Sequence, residues 1–171
     1  MPSPAVIVLE DGRVFSGEAL AGSGSVGGEI VFNTSMSGYQ ETLTDPSYHR
    51  QVVVMTAPHI GNTGMNTTDE ESRKIWVAGY VVREPSRIAS NWRSQRTLED
   101  DLVEAGVVGI SRIDTRALTR HLRDKGAMRV GISTVESDPE VLLAKVLASP
   151  GMAGANLVAD VTTPATYVVA A

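Results

Sequence analysis

Cysteine is missing from all 171 residues. Its absence removes disulfides, thiolate zinc sites, iron–sulfur clusters and every cysteine nucleophile together. It fits a reducing compartment. Long apolar runs are missing too: none approaches the roughly 18 residues of a membrane-spanning helix. The opening Met1-Pro2-Ser3-Pro4 lacks the basic stretch of a secretory signal, so a cytoplasmic protein with no membrane partner is expected. Basic charge is in deficit, 15 basic against 20 acidic residues for a net of -5. General nucleic-acid binders are usually basic, so no nucleic-acid partner is expected either.

Chemical signatures are equally sparse. No glycine-rich run ends in Gly-Lys-Ser/Thr, and no Gly-x-Ser-x-Gly elbow presents a nucleophile. The glycines at 22, 24, 27 and 28 precede a strand rather than a helix, so they lack the helix dipole that would hold a phosphate. His49, His59 and His121 share no three- or four-residue spacing, and a metal site is not expected. Ser35 and Ser37 read as turn formers rather than nucleophiles.

What the sequence does contain is one domain's worth of core. A chain of this length buries roughly 70% of its unfolded surface and needs no staple. Charge is unevenly placed. Residues 73–129 hold 12 basic and 7 acidic residues, net +5, against net -7 before them and -3 after. Twelve of the 15 basic residues are arginine, which suits bidentate contacts to carboxylate or phosphate. A solvated basic face paired with the acidic first third explains the same pattern.

Ala5 to Leu9 is a continuous apolar run, read as a strand buried on both faces. Asp11-Gly12 predicts a type I′ hairpin turn into a second strand, Val14 to Leu20, with Phe15 and Ala19 on one face. Gly22 to Ser25 reads as a flexible loop. Gly28 to Asn33, Gln51 to Thr56 and Val77 to Val82 are further strands. Two long polar loops, Thr34–Tyr48 and Pro58–Gly64, are of a kind that is functional or carries a short helix.

The back half turns helical. Thr97 with Asp100 approximates a capping box ahead of a helix through Ala105 that Gly106 ends. After a strand at Val107 to Ile110, Asp114 caps a second helix. Ile113 and Leu118 form a staple there, and Arg116, Arg120 and Arg123 make a basic stripe. Met128 to Ser133 is a strand. Asp138-Pro139 opens a third helix with Leu142, Leu143, Val146 and Leu147 inside. The order predicts a mixed α/β layered domain with its helices gathered on one side. In Asp45-Pro46-Ser47-Tyr48, proline fixes φ and aspartate starts a turn, leaving the Ser47 hydroxyl exposed.

One long string is distinctive: Gly28-Glu29-Ile30-Val31-Phe32-Asn33-Thr34-Ser35-Met36-Ser37-Gly38-Tyr39-Gln40-Glu41. It resembles the signature of the small, glutamine-hydrolysing subunit of carbamoyl-phosphate synthase. The likeness continues through Leu43–Tyr48, Pro58–Gly64, Ala89–Arg93 and Ile113–Arg120, and Leu9-Glu10-Asp11-Gly12 matches as well. A small departure is Ala57, where the family often has an aromatic residue.

The resemblance covers the first half of that family's subunit. It implies an α/β fold of the three-layer β/β/α swivelling type, with a mixed sheet and helices mainly in the C-terminal half. It implies a domain over residues 1–150, then, over 151–171, the start of a linker to a class I glutamine amidotransferase domain that is absent here. That domain carries the cysteine nucleophile, so no catalytic residue and no activity are expected of this chain alone.

The partners implied are the large subunit, the missing amidotransferase domain and, in the full subunit, glutamine. ATP and Mg are expected on the large subunit and no cofactor on this chain. The product serves arginine and pyrimidine synthesis. Ser47 matches the position that contributes to the glutamine site, and the stripe of Arg116, Arg120 and Arg123 becomes an interface candidate. The alternative is a stand-alone small-ligand-binding domain using the loops around Ser47 and His59.

Overall fold

The computed structural model describes residues 3–169. Met1, Pro2, Ala170 and Ala171, the outer ends of the expected domain and linker, lie outside the described residues. The elements are β1 (Pro4–Leu9), β2 (Val14–Ala21), β3 (Ser25–Asn33), α1 (Tyr39–Thr44), β4 (Gln51–Met55), β5 (His59–Ile60), β6 (Gly79–Val81) and β7 (Glu84–Pro85). They continue with α2 (Leu98–Glu104), β8 (Val108–Ser111), α3 (Thr115–Lys125), β9 (Met128–Ser133), α4 (Pro139–Ala148) and α5 (Val158–Val161).

Seven strands join in a closed barrel, in the order β1-β2-β8-β6-β4-β3-β9. The sheet is mixed: β3, β4, β6 and β8 pair in parallel, and the other four contacts are antiparallel. The α/β class and mixed sheet are as expected. The hydrogen-bond ladder runs in a ring, because β9 pairs with both β1 and β3 and so leaves neither edge free.

The two-residue period of the strands sorts the core. Ile7, Leu9, Val52, Val54, Ile110, Val130 and Ile132 point into the barrel. Val6 and Val8 point outward under Leu142 of α4, so β1 is buried on both faces. Val53, Met55 and Tyr80 point outward into a second core with Tyr39 and Leu43 of α1 and Leu98 and Leu102 of α2. The helices therefore wrap different walls rather than gathering on one side. Leu147, expected inside, is exposed, because α4 buries only the stripe of Leu142 and Val146.

α3 closes one end of the barrel, where Ile113, Leu118 and Leu122 join the interior cluster. The expected staple pair, Ile113 and Leu118, is fully buried. The Asp114 carboxylate accepts from the Ala117 amide at 3.0 Å, and Gly126 ends the helix at φ 91°. The Thr97–Asp100 capping box is present at the start of α2.

The β1–β2 connection departs from expectation. Gly12 takes φ 84° while Asp11 stays negative, so the turn is not type I′. The Gly12 amide instead bonds the Leu9 carbonyl at 2.9 Å, as in a three-residue hairpin with a bulge glycine. β3 begins at Ser25, inside the expected loop, because Ser25 to Gly28 pair with β9. Gly28 is required there: a Cβ would lie 2.5 Å from the Arg50 carbonyl oxygen.

Candidate functional site

Asn33 ends β3 and ties down the first long loop. Its amide donates to Thr42 Oγ1 at 3.2 Å and to Tyr48 Oη at 3.1 Å. Its Oδ1 accepts from the Ser35 backbone at 2.7 Å. Ser35 is thus a turn residue, as expected. Within the loop, α1 starts at Gly38, which takes φ 75° and supplies no side-chain cap.

The segment 46–48 is a short 3-10 turn. Asp45 Oδ1 accepts from the Ser47 amide at 2.8 Å, with Pro46 setting the first φ. Ser47 is exposed, and its hydroxyl has no hydrogen-bond partner among the described residues. The carboxylate thus holds the turn and leaves the hydroxyl free for a ligand.

Directly after it, His49 sits edge-on to Trp76, with ring centroids 5.3 Å apart. Its Nε2 lies 3.2 Å from Asp160 Oδ2, and the Arg50 guanidinium is 3.9 Å from the same oxygen. The C-terminal segment is thereby fastened beside the Ser47 turn. Arg129 fastens its other end, donating to the carbonyls of Leu147 and Ser149 at 3.0 and 2.9 Å and pairing with Glu10. Between the strap 149–155 and the Gly27–Glu29 wall lies a cavity of about 760 Å³.

A second constellation gathers three of the signature blocks. Ser37 to Glu41, Thr63-Gly64, and Asn91 with Arg93 line a polar cleft of about 180 Å³ with Asn66 and Asp69. The buried Gln40 amide clamps the Asn66 backbone on both sides. Arg93 bonds Asp69 and, at 2.8 Å, Thr68 Oγ1. The Tyr39 hydroxyl donates to the Gly64 carbonyl at 2.8 Å and accepts from Thr63. Burial raises the Tyr39 phenol above its ordinary range, partly offset by its bonds to Thr63 and Gly64. The Asn66 amide first, and Arg93 with it, holds the Asp69 carboxyl below its ordinary range.

These motifs converge in space although they are far apart in the chain, and comparison of the whole chain with known proteins gives them one source. The family model described as carbamoyl-phosphate synthase small chain, CPSase domain, matches residues 7–132. The chain belongs to the carbamoyl-phosphate synthase small chain family. The carbamoyl phosphate synthase small chain of Streptomyces avermitilis is 64% identical over 170 residues, covering 98% of this chain and 45% of that protein. That of Streptomyces coelicolor is 63% identical over 171 residues, covering 99% and 45%. That of Mycobacterium tuberculosis is 57% identical, covering 98% and 46%. The chain spans about half the length of the curated relatives it matches.

The remaining expected residues do not converge on a site. Arg116, Arg120 and Arg123 are exposed on α3 and make no ion pair among the described residues. His59 is exposed on β5, beyond the far end of β4 from Ser47, about 16 Å of strand away. The two therefore form no shared site. His121 is half-buried in a structural role. Arg13 can only donate, so His121 Nδ1 accepts from it at 3.1 Å and Nε2 donates to Asp11 at 2.6 Å.

Among the described residues no group of three or more His, Asp or Glu side chains is placed to hold a metal. No helix among them is long and apolar enough to cross a membrane. Sequence reading missed Asp160 and Asn33, whose partners lie up to 111 residues away.

Proposed function

We propose that this chain is the N-terminal docking domain of a glutamine-dependent carbamoyl-phosphate synthase small chain. In the whole subunit, an amidotransferase domain hydrolyses glutamine and passes ammonia to a large subunit, which binds ATP and Mg and makes carbamoyl phosphate. The domain spans residues 1–150, and 151–171 begins the connection to the amidotransferase domain. The protein works in the cytoplasm. On the three-layer swivelling description, the barrel is flattened, with β1, β2 and β9 in one β layer and the parallel strands in the other.

The observation that carries this reading is the Ser47 turn. Its hydroxyl is exposed and unpartnered, its backbone is held by Asp45, and Asp160 brings the C-terminal segment alongside. A domain joined after that segment is tethered on the side of the Ser47 turn, whose hydroxyl would complete a glutamine site at the domain interface. The chain supplies no thioester chemistry itself, since it has no cysteine.

In the full-length subunit, Ser47→Ala removes one ligand hydrogen bond, about 1.4 kcal/mol or tenfold in glutamine KM. Unchanged KM and kcat would remove Ser47 from the site.

A further inference from the structure

Ser47 is carried by a turn that the barrel holds lightly. Among the described residues, the hydrogen bonds made by Ser47, Tyr48 and His49 stay within 45–49 with two exceptions. His49 bonds Asp160, which belongs to the C-terminal segment and not to the barrel. Its ring also leans edge-on against Trp76, without a hydrogen bond. Tyr48 bonds Asn33, the last residue of β3. That bond is the turn's one polar tie to the barrel wall among the described residues.

Asn33 is a fixed point. Its register sets it beside Met55 of β4, and its carbonyl accepts from the Thr56 amide at 3.0 Å. Its Oδ1 accepts from Ser35, and Nδ2 donates to Thr42 Oγ1 of α1. A carboxamide carries two N–H groups, and the second meets Tyr48 Oη at 3.1 Å. Val31 and Asn33 share one face of β3 by its two-residue period. The bond therefore lies over the second core, where Val31 and the Tyr48 ring both pack. A phenylalanine would fill that space equally well. The hydroxyl alone makes the tie.

The two ends of the turn are set elsewhere. α1 delivers the chain into it at Asp45. Arg50 joins it to β4 with φ 64°, a left-handed conformation that is uncommon away from glycine. This conformation persists only where the surroundings hold it. Here the Arg50 carbonyl is seated against the Gly28 backbone and accepts from the Glu29 amide at 3.4 Å. With both ends placed, the tilt of the turn against β3 is left to Tyr48.

We propose that Tyr48 is a positioning residue for Ser47: its hydroxyl, held by Asn33, fixes the tilt of the turn and so the direction in which the Ser47 hydroxyl meets its ligand. The inference rests on the glutamine-site reading of Ser47 above and names the side chain through which that site is held. Tyr48 acts through Ser47, because its own hydroxyl is turned to Asn33. A hydroxyl held in place before the ligand arrives loses less freedom on binding, so loss of the tie is felt in ligand affinity.

The test is a double-mutant cycle on glutamine turnover by the full-length subunit paired with its large chain. Tyr48→Phe raises glutamine KM about threefold and leaves kcat unchanged, as expected when binding and not chemistry is loosened. In the Ser47→Ala background the same change adds nothing, because the hydroxyl it aims is gone. The melting temperature of Tyr48→Phe stays within about 4 °C of the wild type, since the ring still packs. Wild-type KM in Tyr48→Phe, whatever happens to kcat, overturns the inference and leaves Ser47 in the site. An equal rise in KM in both backgrounds does the same, because Tyr48 then acts by another route. Unchanged KM in Ser47→Ala removes the reading on which the inference rests, and the inference with it. Loss of the fold in Tyr48→Phe makes the tie structural and also overturns it.

Discussion

Asp160 reaches back across 111 residues to place its carboxylate 3.2 Å from His49 Nε2, and so sets the C-terminal segment against the turn that carries Ser47. Both side chains are partly exposed, which limits the pair to about 0–1 kcal/mol of global stability. Its consequence is local. Asp160→Ala leaves the melting temperature within about 4 °C and speeds hydrogen exchange at the amides of Asp160, Val161 and Thr162. Those amides bond within the α5 turn alone. Unchanged exchange at these three would show that the pair does not hold the segment.

Acid weakens the fold through three carboxyls. For Asp11, partial burial raises the pKa, but the Arg13 amide and His121 outweigh it and hold it low. The Thr97 hydroxyl and amide hold Asp100 low, and Asn66 with Arg93 does the same for Asp69. Each binds its proton less tightly folded than unfolded. Their stabilisation is present above the unfolded value of about 3.9 and is lost as pH falls through the depressed folded values. The urea midpoint therefore drops below about pH 4, and Asp11→Asn shrinks the drop. A midpoint that rises on acidification would contradict the assignment.

Tyr80 is fully buried on β6, and its hydroxyl has no hydrogen-bond partner among the described residues. Burial pushes its phenol well above the ordinary range. Removing an unsatisfied buried hydroxyl avoids its desolvation cost, so Tyr80→Phe is neutral or stabilising by about 1 kcal/mol. The same variant loses a phenol that the folded wild type keeps protonated past pH ~10 in an ultraviolet titration. Destabilisation by Tyr80→Phe would reveal a partner for the hydroxyl.

Local features were legible in the sequence. The capping box at Thr97, the Asp114 cap with its Ile113–Leu118 staple, and the exposed Ser47 hydroxyl all depend on neighbours a few residues apart. The first long loop is of a kind that is functional or carries a short helix, but the sequence does not place α1 in it, because Gly38 caps it without a side chain and its apolar face is the single pair Tyr39 and Leu43. Ser25 looked like loop by composition, and only the ladder with β9 makes it strand.

Barrel closure lay further out of reach. It depends on β9 pairing with both β1 and β3, contacts between distant parts of the chain that leave no local pattern. Separation in the chain also concealed the His49–Asp160 pair and, over shorter spans, the convergence of Ser37, Gly64 and Arg93 on one cleft.

The central proposal is that this chain docks and positions and leaves glutamine chemistry to another domain. Ammonia release from glutamine by the chain mixed with its large subunit tests that directly. The account predicts no release above the background of glutamine alone, since a thioester needs a cysteine and the chain has none. Ammonia release that scales with the concentration of this chain, and falls with Ser47→Ala, would contradict it.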